Sequence, residues 1–207
     1  MNDNISSKQI LISILGVAIL VVALVGISFA AFTYSKTGTT VNTITTGTIT
    51  MNYNEPEAGI TLTDALPMTD ASGMALTGTG NTFDFTVSTT IKGKGTTTIN
   101  YLITATEVTT TFPNTGIKVY LTSDDDKNVE LSPTKVSELD TTQSSNLAGA
   151  PTGQKILKVG TVTATDTEVD QTTKYRLRMW VAEDFSDSSK SGTYSIKVNV
   201  YGKANAQ

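Results

Sequence analysis

The sequence predicts an all-β fold, an antiparallel β-sandwich or jelly roll, preceded by an N-terminal hydrophobic helix. Three observations predict it. Threonine supplies 39 of the 207 residues while only 16% are charged, and a β-branched side chain with a polar tip suits a half-buried pleated surface. Seven or eight short segments alternate apolar and polar residues with a period of two, the mark of strands with one buried and one wet face. One uncharged apolar run, Ile10 to Phe32, stands apart from all of them.

That run contains only Ser13 and Ser28 as polar side chains. As a helix rising ~1.5 Å per residue it is long enough for the ~30 Å of a bilayer's hydrocarbon. A signal-peptide core is shorter, about 7–15 residues, so length favours a retained helix. Its end favours cleavage: Ser28-Phe29-Ala30 places small residues at the −3 and −1 positions, Ala31 follows, and Lys36 is the only nearby basic residue. Ahead of the run lie Lys8 and, partly offsetting it, Asp3. The expected organisation is therefore a signal peptide or membrane anchor over 1–30, an N-terminal tail over 31–47 and a β-domain over 48–207. Both readings put residues 33–207 outside the cytoplasm, secreted or at the cell surface, with membrane contact only through residues 10–32.

The strands follow in order. Thr48 to Tyr53 sets Ile49, Met51 and Tyr53 against polar neighbours. Thr82 to Ile91 alternates Phe83, Phe85 and Val87 with Asp84, Thr86 and Ser88, and Ile99, Tyr101, Ile103 and Ala105 alternate in the next run. Lys92-Gly93-Lys94-Gly95 between them reads as a hairpin turn. Gly116 to Thr122 puts Ile117, Val119 and Leu121 on one face, and Lys155 to Ala164 is a mixed run. Lys174 to Val181 sets Tyr175, Leu177, Met179 and Val181 opposite Arg176, Arg178 and Trp180. Thr193 to Tyr201 sets Tyr194, Ile196, Val198 and Val200 opposite Ser195, Lys197 and Asn199. One helix is expected, Thr134 to Leu139 behind Ser132-Pro133. Asp140 to Gly153 reads as a mobile loop.

Composition excludes much chemistry. Without His or Cys there is no Ser-His-Asp or Cys-His system, no imidazole or thiolate metal ligand and no disulfide. No enzyme activity and no cofactor are expected. A net charge of −4 with Arg176 and Arg178 as the only arginines leaves no basic field for nucleic acid.

The remaining motifs read blandly. Phe112-Pro113-Asn114-Thr115-Gly116, with a weaker echo at Leu66-Pro67-Met68-Thr69-Asp70, has the look of a sorting signal but is expected to be a turn. Asp124, Asp126 and Asn128 have the spacing that opens a calcium loop. Val129 and Lys135 stand where that loop needs Gly and Glu, so an acidic hairpin tip is the main expectation and a loose calcium site the lesser one. Glu183 with Asp184 is a carboxylate pair that sequence cannot set across a cleft. Trp180 with Arg176 and Arg178 reads either as a sugar- or lipid-binding face or as packing.

Ser28-Phe29-Ala30-Ala31-Phe32-Thr33, followed by Val41-Asn42-Thr43-Ile44-Thr45-Thr46-Gly47-Thr48-Ile49, resembles the start of the TasA/camelysin-type proteins. Tyr175 to Val181 and Gly192 to Val198 resemble that family's last two strands. The resemblance implies a secreted jelly-roll subunit, exported through a SipW-type signal peptidase, that polymerises with itself into extracellular fibres of a biofilm matrix. Some members have been called metalloproteases; the missing His and Cys speak against that activity here.

The residues themselves suggest how subunits join. Cleavage between Ala30 and Ala31 leaves a Thr/Ser/Gly-rich tail in which Phe32 and Tyr34 share one face of an extended strand, with Val41 further on. Such a donor strand can pair with an open sheet edge of the next subunit, a head-to-tail contact that propagates as a filament. Two rivals stand beside this: a membrane-anchored or pilin-like β-domain that keeps its helix, and a surface adhesin or ligand-binding module that does not polymerise.

Overall fold

Period-two alternation becomes strand wherever the sequence shows it. The computed structural model describes residues 33–37, 44–46, 49–54, 59–78, 80–92, 95–143, 148–185 and 192–206. Among them run β1 (Thr33–Thr37), β2 (Ile44–Thr46), β3 (Ile49–Asn54), β4 (Ile60–Thr63), β5 (Pro67–Met68), α1 (Asp70–Met74), β6 (Thr82–Ile91) and β7 (Thr96–Thr110). β8 (Ile117–Ser123), β9 (Asn128–Lys135), β10 (Lys155–Thr165), β11 (Val169–Ala182) and β12 (Thr193–Ala206) follow.

They form two sheets. The first has the order β1–β12–β7–β10, with β4 also on β12; the second has the order β2–β3–β6–β11–β8–β9, with β5 also on β11. Every pairing is antiparallel except the short β5–β11 contact. One apolar cluster joins them: Phe83, Phe85 and Val87 of β6 and Leu177, Met179 and Val181 of β11 with Ile99 and Ile103 of β7 and Ile196, Val198 and Val200 of β12. Tyr101 and Tyr175 meet inside it, hydroxyl to hydroxyl at 3.1 Å, one from each sheet. Burial and this neighbour push the Tyr175 phenol well above its ordinary value.

The expected hairpin over Lys92–Gly95 is corrected here. β6 pairs with β3 and β11, β7 pairs with β12 and β10, and the chain crosses between sheets at this turn. Alternation says that each strand has one apolar face; it does not say which strand lies alongside. The chain crosses again between β10 and β11, and the two crossings are stitched together. The Gly95 N–H donates to the Asp166 carboxylate at 2.7 Å, and the Asp166 N–H donates to the Gly95 carbonyl at 3.1 Å. Asp166 sits at φ 53°, where an Asx side chain is better tolerated than most. Asp166→Ala is expected to cost about 1–2 kcal/mol, read as a lower urea midpoint with an unchanged slope.

A further expectation is corrected. Ser132, Pro133 and Thr134 belong to β9, and only Val136–Glu138 turns as a 3₁₀ helix. A proline without an N–H is admissible there because β9 is the outer strand of its sheet. Among its described residues, 140–143 and 148–153, the 140–153 segment is a loop that packs onto the body: Ala148 and Ala150 are buried with Leu102, Ile156 and Tyr201 in a second small cluster on the outer face of the first sheet. Gln154 pins it, accepting from the Thr104 hydroxyl at 2.5 Å and donating to the Tyr201 hydroxyl at 2.8 Å.

The outer face of the second sheet has its own cover, which the sequence did not announce. Thr69 caps α1: its hydroxyl accepts from the Ser72 N–H at 3.2 Å. It lays Gly73 on the indole of Trp180 so closely that a Cβ there would sit 2.3 Å from the ring.

The backbone of 31–47, expected as a tail, carries β1 along β12 and β2 along β3. The Ile10–Phe32 run, Ala30, Ala31, Phe32 and Val41 lie outside the described residues. Among the described residues no helix is long and apolar enough to cross a membrane.

Candidate assembly site

β12 is the spine of the first sheet. β7 runs along one side of it from Tyr194↔Thr110 to Ala206↔Thr97. The other side is shared: β4 takes Thr193–Ile196 and β1 takes Asn199–Lys203. β1 is thus an extended segment laid on a sheet edge, the pairing a donor strand makes, here within one chain. Tyr34 has Gly202 as its partner.

That register sets up a row across the sheet. Tyr34 of β1 faces Gly202 of β12, Gly202 faces Tyr101 of β7, and Tyr101 faces Gly160 of β10. Tyr101 lies over Gly160 so closely that a Cβ on the glycine would come within 2.1 Å of the ring. Tyr and Gly therefore alternate along one line, and at the end where side chains are described the glycine is the seat of its neighbour's ring. Gly202 is buried. Its partner Tyr101 points into the core.

The opposite flank carries the outer strands β9 and β10: among the described residues β9 pairs with β8 and β10 with β7, and Thr141 bridges to Lys155 at the start of β10. Lys158 of β10 reaches across to an ion pair with Glu130 of β9, both side chains mostly buried. Ser123 donates to the same carboxylate at 2.6 Å. Burial alone would raise the Glu130 carboxyl; the Lys158 and Ser123 bonds outweigh it and hold the group below its ordinary range. Beside this latch runs a groove of about 500 Å³, lined by Leu131, Leu139, Ile156 and Val159 among others.

The calcium candidates lie at the tip between β8 and β9. Asp124, Asp125 and Asp126 make the β8–β9 turn, all at positive φ, 53°, 58° and 67°. Asn128 directs its amide N–H at Asp124, 2.9 Å away. Asp126 accepts two bonds from Arg178, at 2.8 and 2.7 Å, and one from the Thr122 hydroxyl at 2.5 Å. Arg176 lies 3.5 Å off. A cation would have to displace a guanidinium to use this carboxylate, and among the described residues no three His, Cys, Asp or Glu side chains gather to hold a metal. Arg178 holds the Asp126 carboxyl far below the usual carboxylate range.

The other candidates disperse. Trp180 is fully buried and Arg178 only 3% exposed, so they form no aromatic, basic face; Arg176 spends its guanidinium on Asp84 at 2.7 Å twice. Asp184 pairs with Lys135 at 2.7 Å while Glu183 is exposed. Asn114–Gly116 is a 3₁₀ turn packed on Phe112 and Phe185, and Pro67 and Met68 form β5. The sequence matches no protein-family model and no curated protein.

Proposed function

We propose that this chain is a secreted structural subunit that joins head-to-tail with copies of itself, by donation of its N-terminal strand, into extracellular fibres of a biofilm matrix. Its two sheets with a shared apolar interior are read as an antiparallel sandwich of jelly-roll type. The observation that carries the reading is β1: a segment next to the expected cleavage point, held on a sheet edge by main-chain pairing with β12. Such pairing is transferable between identical chains. The apolar run ahead of it suits export, and the absence of His and Cys suits a structural role. Signal peptidase is then the one partner needed before assembly, and no cofactor is.

The length of the Ile10–Phe32 run favours the second reading, an anchored or pilin-like surface domain. Intact mass separates the two: residues 31–207 for the cleaved subunit, all 207 for the anchored one. Deletion of residues 31–40 from the cleaved chain tests the assembly. The truncated protein is expected to remain folded by circular dichroism and to give no fibres under the electron microscope. Fibres at normal yield from that truncation would refute strand donation.

A further inference from the structure

We infer that the acceptor of the donated strand is the Asn199–Lys203 half of β12 in a second copy of the chain, and that Gly202 sets the register by seating the aromatic at position 34. The inference rests on the strand-donation reading above and names its acceptor.

β4 already occupies Thr193–Ile196 on this edge, which leaves the stretch that β1 covers. Identical copies present identical edges, so a strand that fits β12 of its own chain fits β12 of the next. The Tyr–Gly row supplies the register. In the inner half of that row, a tyrosine lies across a strand glycine with no room for a Cβ. The outer half repeats the same pair, Tyr34 with Gly202, one strand further out. A slip of one residue would set Ser35 against Gly202 and turn every side chain of the strand to the opposite face.

A consequence follows for control. The pairs broken when β1 leaves its own chain are the pairs remade on the neighbour, as in a domain swap. The free subunit is closed on itself, and assembly is a competition between the same contact made within and between chains. Concentration and seeds decide it.

The sequence contains no cysteine, so thiols can be placed at will. Thr33 and Lys203 are register partners. The variant carrying both Thr33→Cys and Lys203→Cys, oxidised while dilute, is expected to form the bond within one chain and to stop assembling until reduced. Fibres grown from a mixture of the two single variants, then oxidised, are expected to yield disulfide-linked dimers on a non-reducing gel. Gly202→Val should cut fibre yield roughly tenfold by filling the seat, as should Tyr34→Ala, while Tyr34→Phe keeps it. Normal fibres without the intermolecular bond, or normal assembly of the oxidised double variant, would overturn the acceptor and leave the fibre reading standing. No fibres from the unmodified, cleaved protein would overturn both.

Discussion

Trp180→Ala is expected to lower the unfolding free energy by about 3–5 kcal/mol, the range for emptying a large aromatic site in a core. Trp180 is completely buried although it stands on the face of β11 turned away from the main core. α1 is what buries it, through the contact of Gly73 with the indole. The change therefore empties a cavity and also removes the surface on which α1 rests. The Arg178 Nε bond to the Leu76 carbonyl, 2.7 Å, sits at the end of the same cover and should loosen with it. The indole N–H finds no hydrogen-bond acceptor among the described residues, so Trp180→Phe forfeits area and volume but no bond. It should cost clearly less. Chemical unfolding of the three proteins gives the ranking; a loss under about 1 kcal/mol for the alanine variant would mean that the site collapses around the gap.

Arg178→Met is expected to cost about 2–4 kcal/mol at neutral pH, because it dismantles a charge pair from its buried side. The guanidinium serves Asp126, the Thr122 hydroxyl at 3.1 Å and the Leu76 carbonyl. Asp126 keeps 38% of its side chain exposed, so water can serve the carboxylate left behind, which holds the loss below that of a fully enclosed pair. The effect has a pH signature. A carboxyl held below its unfolded value stabilises the fold above that value, and the contribution fades as pH falls toward the folded one. With an unfolded carboxyl near pH ~3.9, the wild type should lose this increment progressively below about pH 4. The variant keeps only the Thr122 hydroxyl and the more distant Arg176 for this carboxylate, so it has less of that increment to lose. Melting temperatures of the two proteins should therefore lie far apart at pH 7 and draw together toward pH 2. A gap that stays constant over that range would show that Arg178 stabilises by packing alone.

Five long strands, β6, β7, β8, β11 and β12, were legible because one side of each is apolar at every second residue, while β10 showed only as a mixed run. Their partners were not. The glycines at 93 and 95 suit a hairpin and a crossing between sheets equally well, and only the long register of β6 on β11 separates the two. β9 was hidden by Pro133, which reads as a strand breaker until its place at the sheet edge is known. The covers of Trp180 and Tyr201 were hidden for another reason: alternation assigns those residues to the second face, and what shields that face comes from distant sequence. At the candidate assembly site, Phe32 and Tyr34 were singled out by their spacing, whereas Gly202 was passed over. A signal was present. Glycine inside a strand marks a close approach by something else; Gly160 stands inside the mixed run Lys155 to Ala164, and Gly202 directly follows the alternating run that ends at Tyr201.

The central place of β12 has a bearing on how the chain comes to be folded at all. β1, β4 and β7 all pair with β12, and β12 is the last of the described strands to emerge in synthesis. At ~5–20 residues per second, the earlier strands of that sheet wait seconds for the one that joins them. Pairings so distant in sequence also form slowly. A chain interrupted short of residue 193 would hold three strands with no common neighbour, their edges open to other chains.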